Sequence, residues 1–207
     1  MKKLLLTTLM AGAVFTFADA QAAEKPKAGD IVMRARALQV MPEEDADITV
    51  IGGNVDASNT LVPEIDFSYY FTDNISAELI LATTRHNVSA TAGNLDLGHA
   101  WLLPPTLTAQ YHFVNDTDIT PYIGAGINYT MFYNEKAGKS INNIDYDNSF
   151  GPAAQIGVDY ALNDKWSLNA DLKKVWINTD VSINSGAIKA DVDLDPWLVG
   201  FGVGYKF

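Results

Sequence analysis

The chain of 207 residues has no cysteine, few cationic residues and, beyond its first seventeen positions, no long hydrophobic run. Lacking cysteine, it has no disulfide staples, which suits an exported chain that does not need them. Lys and Arg number 14 against 25 Asp and Glu, for a net charge of −11, which argues against a nucleic-acid partner. The three histidines, His86, His99 and His112, are too scattered to form a spaced ligand set, so no metal is expected. There is no Gly-x-Ser-x-Gly, no paired histidine and no phosphate loop. His86 with Ser89 is the one nearby nucleophile-and-base candidate, and no orienting carboxylate follows it in a recognisable pattern. The expectation is a protein that is not an enzyme and needs no cofactor.

What is present begins with a leader. Lys2 and Lys3 precede a fourteen-residue apolar run, Leu4 to Phe17, followed by Ala18-Asp-Ala20 and Ala20-Gln-Ala22. That order reads as a secretory signal peptide over residues 1–20, with cleavage after Ala20 or Ala22, leaving 21–207 as a single domain. Losing Lys2, Lys3 and Asp19 with the leader takes the net charge from −11 to −12. No later run approaches the roughly twenty apolar residues of a membrane-spanning helix, so any membrane protein built from this chain is a closed barrel. A mean hydropathy of +0.01 is no objection, because barrel strands turn only one face to lipid.

The last thirteen residues alternate with a period of two. Trp197, Val199, Phe201, Val203, Tyr205 and Phe207 fall on one face, and Pro196, Leu198, Gly200, Gly202, Gly204 and Lys206 on the other. Large aromatics at both ends of a lipid-length stretch correspond to interfacial girdles, and point to integral insertion in a Gram-negative outer membrane among lipids and lipopolysaccharide. In such barrels the terminal strand closes against the first, and Tyr205 and Phe207 are the expected signal for the barrel assembly machinery. Asp191, Asp193 and Asp195 alternate just ahead, on the face of Trp197 if the strand is unbroken, where carboxylates could share divalent cations with lipid phosphates or simply be solvated.

Alternating segments recur near 29–41, 61–72, 75–86, 104–114, 120–134, 149–162, 165–179 and 190–207. The fold class predicted is all-β, an eight-stranded antiparallel up-and-down transmembrane barrel with both termini periplasmic. Short turn-forming connections at 72–74, 114–120 and 162–165 read as periplasmic turns. The longer polar segments 42–60, 87–103, 135–148 and 180–189 read as extracellular loops, open to phage or bacteriocin binding. In the seventh strand Trp166, Leu168, Ala170 and Leu172 give one phase and Val175 and Ile177 the other, which predicts a bulge near Lys173-Lys174 or a strand already clear of the bilayer.

Carried inward, the alternation places Arg34 and Arg36 against Glu64, Asp66 and Glu78, a paired cluster that closes a narrow lumen, as a stabilising plug or a selectivity filter. Ile80 and Ala82 also face inward, and an apolar lumen reads either as an entrance for greasy solutes or as a packed core. Pro104 and Pro105 open the fourth strand and can donate no ladder hydrogen bond. They begin a strand where prolines are tolerated, or else weaken the wall into a side exit, with Ala100, Trp101, Leu102 and Leu103 making its mouth apolar.

The segments Gly29-Asp-Ile-Val-Met-Arg-Ala-Arg36, Phe71-Thr-Asp-Asn-Ile75, Pro104-Pro-Thr-Leu-Thr-Ala-Gln-Tyr-His-Phe113, Pro121-Tyr-Ile-Gly-Ala-Gly-Ile-Asn-Tyr-Thr130, Gly157-Val-Asp-Tyr160, Asp195-Pro-Trp197 and the terminal Gly204-Tyr-Lys-Phe207 together resemble the OmpW family of eight-stranded outer-membrane proteins. The likeness spans essentially the whole mature chain, and its Pro-Pro and Pro-Tyr-Ile-Gly-Ala-Gly segments are the specific ones. It implies a narrow channel for small, mainly hydrophobic molecules. From the residues alone a second reading stays open, in which a filled barrel anchors loops that contact surfaces, phage or host molecules; a lipid-modifying enzyme is a distant third.

Overall fold

Stretches of about ten residues that alternate apolar and polar can separate the two kinds only as extended chain, whose side chains point to opposite faces in turn. The computed structural model describes residues 23–48, 54–91 and 95–207. The leader expected at 1–20 and both candidate cleavage residues, Ala20 and Ala22, lie outside the described residues. Those described form β1 (Ile31–Met41), β2 (Asp45–Ile48), β3 (Val55–Ala57), β4 (Thr60–Tyr70), β5 (Ile75–Ala82), β6 (Thr84–Ala90), β7 (Leu95–Leu103), β8 (Thr106–His112), β9 (Ile119–Ala137), β10 (Ile144–Tyr146), β11 (Ser149–Ala161), β12 (Trp166–Val175), β13 (Asn178–Ile183), β14 (Ile188–Asp193) and β15 (Trp197–Lys206).

Eight of these are the staves of a closed antiparallel barrel, in the order β1, β4, β5, β8, β9, β11, β12, β15. The ring closes where β15 returns to β1, in register from Val32↔Lys206 to Met41↔Trp197. Closure pairs β1 with β15, the two edges that an open sheet would leave free. The outer face is apolar: Ile65, Phe67, Leu79, Ile123, Ile156, Phe201 and Val203 are all exposed. At its lower rim, edge-on ring pairs form a girdle, with centroids 5.0 Å apart for Tyr69–Phe71, 5.1 Å for Tyr111–Phe113 and 4.9 Å for both Trp166–Tyr205 and Tyr205–Phe207. Trp197, Trp176 and Phe150 are exposed toward the other end.

Each of the four long segments predicted as extracellular loops contains strand among its described residues, and 87–103 is mostly strand. β6 prolongs β5 past Thr83, β7 leads into β8 through Pro104 and Pro105, and β9 runs for 19 residues, long enough to pair with β7. β3 pairs with β6, and β10, β13, β14 and β2 form a second sheet. The reason is the inner face of this upper tier: Val55, Ala90, Leu97, Ile144, Val181, Ile183, Ala190 and Val192 are buried together. Alternation of these with outward polar residues averages to a polar segment, which resembles a loop until its partners are known.

The bulge expected of the seventh strand near Lys173-Lys174 does not occur. The register of β12 runs unbroken on both sides, from Ala161↔Ser167 to Ala153↔Val175 and from Trp166↔Tyr205 to Lys174↔Trp197. Asn169, Asp171, Lys173, Val175 and Ile177 all point inward and are buried. The apparent change of phase is a change of surroundings: the lumen turns from polar to apolar at this height. Nor do the three aspartates line up on the Trp197 face. Asp195 has φ 25° and its Oδ1 accepts the Ile177 amide at 2.9 Å, while Asp191 and Asp193 accept Asn178 Nδ2 at 2.5 and 2.9 Å.

Candidate functional site

Parity on β1 sends Arg34 and Arg36 into the lumen, and both are buried, with β15 beside them supplying glycine at the inward positions. The space matters: a Cβ on Gly204 would lie 2.6 Å from Ser167 Oγ and 3.3 Å from Arg34 Cγ. Arg34 forks onto Asp159, Nη2 to Oδ2 at 2.9 Å and Nε to Oδ1 at 3.2 Å, and donates through Nη1 to Ser68 Oγ at 2.7 Å and Asp66 Oδ1 at 3.3 Å. Arg36 donates through Nη2 to Asp66, and to Glu78 Oε1 at 2.6 Å. Its Nη1 sits 3.4 Å from Glu64 and 3.3 Å from Asp171 without the alignment of a hydrogen bond. The structure thus brings together all five charged residues singled out from the sequence.

The layer has members that sequence reasoning missed. Lys173 donates to Glu64 Oε1 at 3.0 Å and lies 2.7 Å from Asp171 Oδ1. Gln155 Nε2 donates to Glu78 Oε2 at 2.9 Å, Tyr122 Oη to Asp171 Oδ2 at 2.8 Å, and Asn169 Nδ2 to Asp159 Oδ1 at 2.9 Å. Among the described residues, three basic side chains therefore face five carboxyl groups at one level. The missed signal was the run Asn169, Asp171, Lys173, three polar residues in a single phase of β12 opposite Leu168, Ala170 and Leu172.

Above the layer lies an apolar chamber of ≈ 90 Å³. Glu64, Lys173, Thr106 and Asn128 are at its charged and polar end, and Leu38, Val40, Ile80, Ala82, Leu102, Val175, Ile177 and Leu198 line its walls. Ile80 is buried and Ala82 half-buried. Below the layer a separate cavity of ≈ 40 Å³ is lined by Lys25, Arg34, Tyr70, Thr120 and Asp159.

The chamber meets the wall at the prolines. β5 pairs with β8 up to Ile80↔Thr106, and the same register resumes between β6 and β7 at Thr84↔Leu102. Between these points Leu81, Ala82 and Thr83 face Leu103, Pro104 and Pro105, and neither proline has an N–H to donate. The proline carbonyls are engaged elsewhere: Pro105 O accepts the Tyr129 amide at 3.1 Å, and Asn128 Nδ2 reaches Pro104 O at 3.2 Å and Pro105 O at 3.3 Å. Pro104 lines the chamber, Leu102 is buried, and Trp101 and Leu103 are half-buried, Trp101 lying against Tyr133 with ring centroids 6.2 Å apart.

The histidines do other work. His112 lies between two tyrosine rings, with centroids 4.8 Å from Tyr70 and 5.3 Å from Tyr122. His86, in the upper tier, is 2.7 Å from the Ser58 carbonyl and 3.0 Å from Thr84 Oγ1, and burial holds its imidazole below the ordinary value despite the Ser58 contact. Among the described residues no group of three or more His, Asp or Glu is arranged to hold a metal ion.

Known proteins share this architecture. The chain is 44% identical over 180 residues to an uncharacterised outer-membrane protein of Sinorhizobium fredii, covering 84% of this chain and 79% of that one. It is 31% identical over 163 residues to the dibenzothiophene metabolism operon protein PahQ of Pseudomonas aeruginosa, covering 76% and 77%. Among solved structures, the outer membrane protein OprG from Pseudomonas aeruginosa superposes with a TM-score of 0.81 at 31% identity, covering 91% of this chain and 99% of that one. The OmpW family model matches residues 27–207. The chain is an integral outer-membrane β-barrel and belongs to the OmpW family.

Proposed function

We propose that this barrel is a narrow channel for passive uptake of small, mainly hydrophobic molecules, which enter the chamber from outside and leave sideways into the membrane between β5–β6 and β7–β8. The observation that carries the reading is the coincidence in height of three features: the lumen changes from apolar to charged, the chamber reaches Pro104, and the wall there lacks ladder bonds. Magnitudes favour the sideways route. A solute passing straight down must part buried ion pairs, and stranding one buried charge costs about 3–5 kcal/mol. Parting the seam at Pro104 and Pro105 breaks no bond donated by either proline.

In this reading Arg34, Arg36, Glu64, Asp66 and Glu78 are the plug, Ile80 and Ala82 line the path, and Trp101 to Pro105 form the exit. Loading needs side-chain movement, because ≈ 90 Å³ is below the about 150 Å³ of an engineered cavity that takes benzene. The name of PahQ links that relative to metabolism of an apolar tricyclic thioether, a solute of the class proposed here. Ile80→Trp should narrow the chamber, and replacing Pro104 and Pro105 with threonine should seal the seam. Uptake of a small aromatic hydrocarbon into vesicles should fall in each variant, and the two effects should not add. Unaltered uptake by folded forms of both variants would overturn the lateral channel.

The packed apolar interior of the upper tier favours a second reading, a filled barrel that anchors protruding strands for phage, bacteriocin or host contacts. Unchanged uptake together with lost binding on truncating β13 and β14 would select it. Under either reading the outer belt contacts lipid and lipopolysaccharide, and Tyr205 and Phe207 serve recognition by the assembly machinery.

A further inference from the structure

The segment ahead of β1 crosses the lower mouth of the barrel and is held by all three periplasmic turns. The Ala28 amide donates to Asp73 Oδ1 at 3.0 Å in the β4–β5 turn, the Glu24 amide to Asp164 Oδ1 at 2.9 Å in the β11–β12 turn, and the Ala23 amide to Asp118 Oδ1 at 2.9 Å in the β8–β9 turn. Lys25 Nζ donates to Thr120 Oγ1 at 2.8 Å, and Lys206 Nζ on β15 donates to the Glu24 carbonyl at 3.1 Å. Glu24, Lys25 and Pro26 line the lower cavity together with Arg34 and Asp159. A strap of six residues thus spans the ring beneath the charged layer, and each turn contributes one aspartate to it.

Small residues at Ala18, Ala20 and Ala22 permit leader cleavage after Ala20 or after Ala22. The two products differ at one contact. Cleavage after Ala20 leaves the Ala23 nitrogen an amide. Cleavage after Ala22 turns the same nitrogen into an α-ammonium, already within 2.9 Å of a carboxylate. The amide bond to Asp118 has one charged partner, whereas the ammonium adds a full positive charge opposite the carboxylate.

We infer that the leader is cut after Ala22 and that the new α-ammonium of Ala23 docks on Asp118, locking residues 23–28 as a strap across the periplasmic mouth. Processing then does more than release the chain from export: it creates the charge that fastens the strap at its far end. Lys25, which also faces Asp118 and Asp159, adds a second cation on the same side of the mouth. The docking does not depend on whether the lumen conducts.

The test uses mature protein purified from outer membranes. Intact mass should correspond to a chain beginning at Ala23; a chain beginning at Gln21, heavier by Gln and Ala, overturns the proposal. The α-amine is then acylated at pH 7 with an N-hydroxysuccinimide ester, and the N-terminal peptide is quantified. Because only the neutral amine reacts, pairing that raises its pKa by one unit slows labelling about tenfold in the folded barrel relative to the urea-unfolded chain. Asp118→Asn, which keeps the shape and removes the charge, should abolish that difference. Equal rates in folded and unfolded wild-type protein, or slow labelling retained in folded Asp118→Asn, would overturn the ion pair. If the variant does not fold, the folded-to-unfolded ratio of the wild-type protein decides.

Discussion

Lys173 on β12 reaches past β15 and β1 to Glu64 on β4, setting its Nζ 3.0 Å from Oε1 with both side chains buried. Two residues 109 positions apart thus tie four consecutive staves together from inside the lumen. Charged contacts of this kind supply satisfaction more than net attraction, since each ion was first stripped of water.

Removing one partner should therefore expose the debt. Lys173→Met is expected to destabilise the folded barrel by about 3–5 kcal/mol, because buried Glu64 loses its hydrogen-bonded cation and must share the unaligned Arg36 Nη1 with Asp171. Adding Glu64→Gln should recover part of the loss, a non-additivity readable as a shift in the urea midpoint in detergent micelles. An unchanged midpoint for Lys173→Met would mean that water reaches these groups.

Arg34→Ala combined with Arg36→Ala removes two of the three cations of the layer. Asp66, Glu78 and Asp159 then repel one another in a confined space. The temperature at which the compact gel band converts to the slower unfolded one should fall well below that of the wild type, and an unchanged temperature would indicate solvated charges.

Gly157 sits opposite Tyr122 in the β9–β11 register, and a Cβ there would come within 2.3 Å of the tyrosine ring. Gly157→Val should expel the ring, break the 2.8 Å bond from Tyr122 Oη to Asp171, and lower the same conversion temperature. Tyr122→Ala in the Gly157→Val background should restore folding yield, while failure to do so would place the damage in the backbone.

Phe207 lies exposed beyond β15, its amide donating to the Ile31 carbonyl at 3.0 Å and its ring 4.9 Å from that of Tyr205. Deleting it should reduce the amount of protein assembled in the outer membrane while leaving refolding in detergent nearly intact, since one surface residue at the closing seam is lost. Normal membrane yield would argue that this terminal aromatic is not read during assembly.

The barrel was legible in the chain because parity alone assigns a face to each strand residue. The outward run of Ile65, Phe67 and Tyr69 against the inward run of Glu64, Asp66 and Ser68 requires no knowledge of any partner, and the same parity points Arg34 and Arg36 at the carboxylates of neighbouring staves. Lys173 and Asp171 escaped because their partners are brought near only by ring closure, and Val175 and Ile177 looked out of phase because the lumen itself changes character above Lys173. The upper tier escaped for a related reason: Leu97, Ile144 and Val181 mark an interior only once they meet. The strap carries no periodicity at all. Its hydrogen bonds run from backbone amides to Asp73, Asp118 and Asp164, three turns far apart along the chain, which a closed ring of fixed diameter sets around one mouth.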